Sequence, residues 1–222
     1  MRRKKRAWTI HDLLNTPVKT FPFEERWYEL FGQPERCGVW FIWGGSGNGK
    51  TSFVIQLCKE LAKYTQILYD SFEEGYSLAM QDALRRFGMG AVSRRMKIVD
   101  GMPIDELSEM LSARCAPAAV VIDSFQHAQL TYPQFIAFTE KHPNMLLIFT
   151  SHADGRKPEG SAAQKARSTS SMRIYVEGYR AFSLGNRESR KGYYDVWEQQ
   201  AYVYWGDPDY VDPYKFKFLK RL

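Results

Sequence analysis

Cysteine is scarce: only Cys37, Cys58 and Cys115 occur in 222 residues. The count is odd, no CxxC is present and no histidine clusters near them, so neither a disulfide framework nor a zinc site is suggested, and a reducing cytoplasm fits. Long hydrophobic runs are missing too. The longest, such as Val39 to Trp43 and Met145 to Phe149, have strand length and fall far short of the roughly twenty apolar residues a membrane span needs. Positive charge opens the chain, but Trp8, His11 and Asp12 follow where a signal peptide would have its apolar stretch. Secretion and membrane insertion are not expected. With 10 prolines, 16 glycines, no internal repeat and no low-complexity segment, fibrous and disordered classes fall away. The remaining composition, 44% hydrophobic, 25% charged and 15% aromatic, is that of a folded protein. The length suffices for one domain with a sizeable core and not for two large ones.

Net charge is +6, but it is unevenly spread. Five of the 31 basic side chains are Arg2, Arg3, Lys4, Lys5 and Arg6, and four more are Lys215, Lys217, Lys220 and Arg221, so residues 7 to 214 hold 22 basic against 25 acidic side chains. The basicity sits in the tails, which suits contact with nucleic acid or another anionic partner, or simply a solvated end.

From residue 39 onward, β-branched and aromatic runs alternate with helical patterns, the signature of a parallel sheet flanked by helices. Five strands are expected, at Val39 to Trp43, Gln66 to Ser71, Met96 to Asp100, Ala118 to Asp123 and Met145 to Thr150. Apolar spacings of three and four predict helices at Thr51 to Lys63, Tyr76 to Phe87, Ile104 to Arg114 and Tyr132 to Lys141. Residues 153 to 171 have almost no large apolar side chain and read as a long loop. Beyond them Met172 to Glu177, Arg180 to Leu184, Tyr193 to Glu198 and Ala201 to Trp205 read as strands forming an antiparallel edge. The first 38 residues hold one short helix, around Phe23 to Phe31. The fold class is therefore doubly wound α/β, with three parts expected: a basic segment 1–38, a core 39–205 and a basic tail 206–222.

Gly44-Gly45-Ser46-Gly47-Asn48-Gly49-Lys50-Thr51 matches GxxxxGK[ST] at every fixed position. A strand runs into it and an amphipathic helix leaves it, the order the motif requires. Glycines let the backbone curl until several N–H groups face one phosphate oxygen, and the helix N-terminus adds partial positive charge. Lys50 can reach the β and γ phosphates, the Thr51 hydroxyl can take a position on Mg2+, and Ser52 extends the cradle into the helix. ATP with Mg2+ is the expected ligand pair. Ala118 to Ser124 is an apolar strand ending in an acid, which puts Asp123 on the metal side through a water. In Tyr69-Asp70-Ser71-Phe72-Glu73-Glu74-Gly75, the two adjacent carboxylates can supply a general base to orient the water attacking the γ-phosphate.

An acid after the second strand and a Walker B acid on a later one resemble the RecA-like branch of P-loop proteins: RecA and RadA recombination proteins, DnaB-type helicases and KaiC-type ATPases. The resemblance covers residues 39 to 205. It rests on the P-loop, Ser71-Phe72-Glu73-Glu74, Val121-Ile122-Asp123-Ser124, Thr150-Ser151-His152 and Gly185-Asn186-Arg187. It implies that Glu73 is the catalytic glutamate, with Glu74 as neighbour or substitute, and that His152 senses the γ-phosphate. It implies that the cationic segment carrying Arg156, Lys157, Lys165, Arg167 and Arg173 contacts single-stranded DNA, through phosphate contacts indifferent to sequence. It also implies that Arg187, and after it Arg190, reaches a neighbouring subunit's nucleotide as an arginine finger, although Gly185 stands where relatives carry a lysine.

The resemblance thus implies a cytoplasmic ATPase assembled as a homo-oligomeric ring or filament, acting in DNA replication, recombination or repair. Its minimal build suits a phage or mobile element. The alternative is a DNA-binding mediator, loader or scaffold that uses ATP as a switch, hydrolyses little, and acts with a protein partner.

Overall fold

The computed structural model describes residues 7–184 and 192–206. The chain opens with α1 (Ile10–Leu14) and α2 (Glu25–Phe31), then alternates strand and helix. Strand β1 (Gly38–Gly44) leads to α3 (Lys50–Leu61), β2 (Ile67–Ser71) to α4 (Leu78–Arg86) and a single 3-10 turn at Met89–Val92, and β3 (Met96–Val99) to α5 (Ile104–Leu111). Next come β4 (Ala119–Asp123), α6 (Tyr132–Lys141), β5 (Leu146–Asp154), the two-residue β6 (Lys157–Pro158) and α7 (Ser161–Thr169). The described chain closes with β7 (Met172–Glu177), β8 (Arg180–Ser183), β9 (Tyr193–Asp195) and α8 (Glu198–Trp205).

The sheet runs β3-β2-β4-β5-β1-β7-β8-β9, with β6 attached to β5. Pairing is parallel from β3 across to β7, and antiparallel for β7-β8, β8-β9 and β5-β6. The mainly parallel α/β sheet with an antiparallel edge is therefore as expected. Both faces are covered, which explains the continuous apolar runs: in β1 Trp40 and Ile42 enter one core while Phe41 and Trp43 enter the other. The first core is filled by α3, whose Phe53, Val54, Ile55, Leu57 and Leu61 are fully buried, each contributing about 1.5–3 kcal/mol of burial. Phe21, Phe23, Leu30 and Phe31 are buried in that same core, and Phe31 meets Trp40 with ring centroids 4.9 Å apart.

Two expectations are corrected. Residues 153–171 are not a loop, since β5 runs on to Asp154, turns at Gly155-Arg156, returns as β6 and gives way to α7. The inward face of α7 is built from alanine: Ala163 and Ala166, one turn apart, are buried in the cluster with Trp43 and Tyr175. A search for large apolar side chains passes over such a face. Residues 201–205 form part of α8 and not a strand. The alternating aromatics imitate a strand, yet Ala201 and Trp205, four apart, are the inward pair, Val203 is 77% exposed, and Trp205 donates its indole N–H to the Gly178 carbonyl at 3.1 Å. The strand expected at Tyr193 to Glu198 is limited to β9. At the other end of the chain α1 was not anticipated; Thr9 and Asp12 form its capping box.

Candidate functional site

The carboxyl ends of the parallel strands share one rim, the place where open α/β sheets bind ligands. Register puts Ser71 opposite Asp123, Ile42 opposite Thr150, and Gly44 opposite His152. The ends of β1, β2, β4 and β5 therefore present their polar residues side by side.

Gly44 ends β1 where β7 passes so closely that a Cβ would lie 2.1 Å from the Val176 carbonyl oxygen. Only glycine fits there. Gly49, with φ of 93°, turns the loop into α3 in a conformation that costs glycine nothing. Asn48 fastens the loop to the β7–β8 turn: its Oδ1 accepts from the Gly178 N–H at 2.8 Å, and its carbonyl accepts from the Tyr179 N–H at 3.2 Å. Lys50 is buried and donates to the carbonyls of Gly44 at 2.9 Å and Gly45 at 3.0 Å. Burial pushes its pKa down, and the negative charges of Glu73 and Asp123 oppose that shift.

Asp123 is buried at the end of β4, accepting hydrogen bonds from the Tyr69 hydroxyl and the Thr150 hydroxyl. Burial raises its pKa; the two hydroxyl bonds and, more weakly, Lys50 act the other way. Tyr69 in turn is held well above the usual phenol range by burial and by the carboxylate it serves. The main chain after β2 is tied across to β4, since the Phe72 N–H donates to the Asp123 carbonyl at 2.7 Å, while the Gly75 N–H donates to Ser71 Oγ at 3.0 Å. Glu73 and Glu74 sit in this braced segment. Glu73 has its Oε1 3.2 Å from Nε2 of His152. Glu74 is half-buried, and burial, then Asp123 and Glu73, push its pKa up.

His152 is fixed from behind by Gln126, whose Oε1 accepts the His152 N–H at 3.2 Å and whose Nε2 donates to Ser151 Oγ and the Glu159 carbonyl, both at 2.9 Å. Gln126, His127 and Tyr69 escaped the sequence reading. The signal was their position: Gln126 and His127 follow Asp123-Ser124 directly, and Tyr69 precedes the paired acids on β2.

The donor set suits a magnesium-bound triphosphate: glycines that leave room for an anion, a buried ammonium, and the oxygens of Thr51 and Asp123 for a hard dication. Arg187 and Arg190 lie outside the described residues. The five cations expected on one loop are spread over three elements. Arg156 and Lys157 are exposed on the β5–β6 hairpin, Lys165 and Arg167 lie on α7, and Arg173 is on β7. Lys165 sits 5.9 Å from the Tyr132 ring centre. Arg167 packs its guanidinium over Trp43 at 5.1 Å, and burial followed by the charge of Arg173 pushes its pKa down.

No protein-family model and no curated protein matches the sequence. Solved structures do match its fold. A KaiC-like protein from the hyperthermophilic archaeon Pyrococcus horikoshii OT3 is 18% identical, with a TM-score of 0.58 over 79% of this chain and 92% of its own. The flagellar accessory protein FlaH from Methanocaldococcus jannaschii is 13% identical, with a TM-score of 0.60 over 81% of this chain and 92% of its own. The chain has a RecA-like fold. In that RecA-like frame the P-loop, Glu73, Asp123 and His152 all lie on the carboxyl rim of the sheet. Among the described residues no helix is long and apolar enough to cross a membrane.

Proposed function

We propose that the protein binds ATP with Mg2+ and hydrolyses it, acting as a DNA-dependent ATPase in replication, recombination or repair. The observation that carries this reading is the convergence on one rim of Lys50 at the start of α3, Glu73 just after β2 and Asp123 at the end of β4, close enough for both carboxylates to act on the Lys50 charge. Lys50 and the N–H groups of the P-loop hold the phosphates and stabilise charge gathering on the transferring group. Glu73 orients the attacking water and accepts its proton. Thr51 and Asp123 would hold Mg2+, which supplies charge neutralisation at the phosphate oxygens when bound. Ser46, Gly47, Asn48 and Ser52 complete the cradle, and Glu74 stands beside the base.

Arg187 supplies the finger to a neighbouring copy, so the active unit is a cytoplasmic homo-oligomer, a ring or filament. Arg156, Lys157, Lys165, Arg167 and Arg173 contribute to a single-stranded DNA contact. One observation favours the switch reading as the second choice. The pairing of Glu73 with His152 engages the base, as expected of a mediator that withholds hydrolysis until His152 is moved.

ATP turnover by the purified protein with Mg2+, with and without single-stranded DNA, at low and moderate salt, separates the two. Turnover strongly stimulated by DNA, and weaker at higher salt, supports the motor or recombinase. ATP binding with negligible turnover in every condition supports the switch.

A further inference from the structure

Glu73, His127 and His152 each offer one ligand atom, all lying within 4.8 Å of one another; Glu73 and His127 are exposed and His152 is partly buried. They come from the segments after β2, after β4 and at the end of β5. Tetrahedral ligands on zinc, bonded at about 2.0–2.1 Å, stand roughly 3.3 Å apart. The Glu73–His152 pair already has that spacing, 3.2 Å, so closure asks for His127 to come nearer by at most about 1.5 Å.

The outer contacts are those a metal site uses. Ser124 Oγ bonds Nδ1 of His127 at 2.9 Å, which leaves Nε2 for a cation, and the backbone of His152 is held by Gln126. The rings of the two histidines meet edge to face at 5.8 Å. The bond from Ser124 is of the kind that fixes the orientation of a ligating imidazole, while Gln126 sets the backbone from which the His152 ring projects. Two imidazoles and one carboxylate suit a borderline transition-metal dication and not magnesium, which prefers an all-oxygen octahedron.

We infer that Glu73, His127 and His152 form a His2Glu site for a zinc-class dication, separate from the magnesium position at Thr51 and Asp123. The sparse cysteines suggest no zinc site, and a reading centred on them gives no sign of one built from Glu73, His127 and His152. Occupancy takes the Glu73 carboxylate out of reach of the attacking water, so zinc inhibits turnover. That consequence rests on the role proposed for Glu73; binding itself does not.

The test is titration of the full chain, stripped with chelator and free of nucleotide, with Co2+ as a spectroscopic probe. One equivalent is expected to bind with a tetrahedral visible spectrum, to be displaced by Zn2+, and to be unaffected by excess Mg2+. His127→Ala, His152→Ala and Glu73→Gln are each expected to weaken binding by at least about 10–100-fold, while Cys115→Ser leaves it unchanged. No saturable binding, or binding that survives the histidine substitutions, overturns the inference. Stoichiometric Co2+ binding by a protein without ATPase activity upholds the site and removes the catalytic reading; normal ATPase activity without Co2+ binding does the reverse.

Discussion

Oε1 of Glu73 faces Nε2 of His152 at 3.2 Å, joining the segment after β2 to the end of β5. The pair is an ion pair only while His152 carries a proton, and it links the proposed base to the strand that continues into the cationic hairpin. Glu73→Gln keeps the shape and loses the base, so turnover is expected to fall about 10²–10⁴-fold with nucleotide affinity retained. Single-turnover assays beside equilibrium binding check this. Unchanged turnover would remove Glu73 from the mechanism.

His152→Ala cuts the link without touching the P-loop. The ratio of turnover with and without single-stranded DNA is expected to collapse toward unity. A variant that keeps full stimulation would show that the signal travels elsewhere.

Gly44→Ala tests the closeness of β1 and β7. A Cβ 2.1 Å from the Val176 carbonyl must force the strands apart, at a cost of about 1–3 kcal/mol. In a chain of this size that lowers the melting temperature by roughly 2–12 °C, readable by calorimetry. An unshifted melting curve would contradict the packing at this point.

Asp70 is buried in β2, with Oδ1 accepting the Met102 N–H at 2.9 Å and Oδ2 without a partner. Burial raises its pKa from 3.8 to about 6 despite that bond. Between these values the folded state holds the extra proton, so stability falls as pH rises from about 4 to about 6 and is flat in this group on either side. The span corresponds to at most about 3 kcal/mol. Asp70→Asn is expected to lose this slope when urea midpoints are followed from pH 4 to 7; an identical slope in both proteins would assign it to other groups.

Lys157 and Lys165 are exposed. Replacing both with alanine is expected to reduce the log–log salt slope of single-stranded DNA binding by about 1.4, some 0.7 per phosphate contact. Arg167→Ala, by contrast, also removes packing from Trp43, so a lower melting temperature is expected with it. A salt slope unchanged by the double lysine variant would take these two residues out of the DNA contact.

The parallel core was legible because burial on both faces turns each strand into an apolar run, and because the P-loop fixes what precedes and follows it. The alanine face of α7 was not, since small side chains leave no periodic signal in a count of large ones. The tyrosines of α8 alternate with other residues as strand residues do, and only the packing of Ala201 and Trp205 makes them helical. In the candidate site, Lys50, Thr51, Glu73 and Asp123 could be named because their chemistry is bound to a spacing or a strand end. Gln126, His127 and Tyr69 act through distances across separate strands, which spacing along the chain does not encode.

Asn48 carries one more consequence. Through the Gly178 N–H and its own carbonyl it bolts the phosphate loop to the β7–β8 turn, and β8 leads along the chain toward Arg187. The loop and the β7–β8 turn therefore move as one piece: a shift of the loop carries the turn with it, and Asn48→Ala is expected to uncouple the two while leaving the glycines of the loop in place.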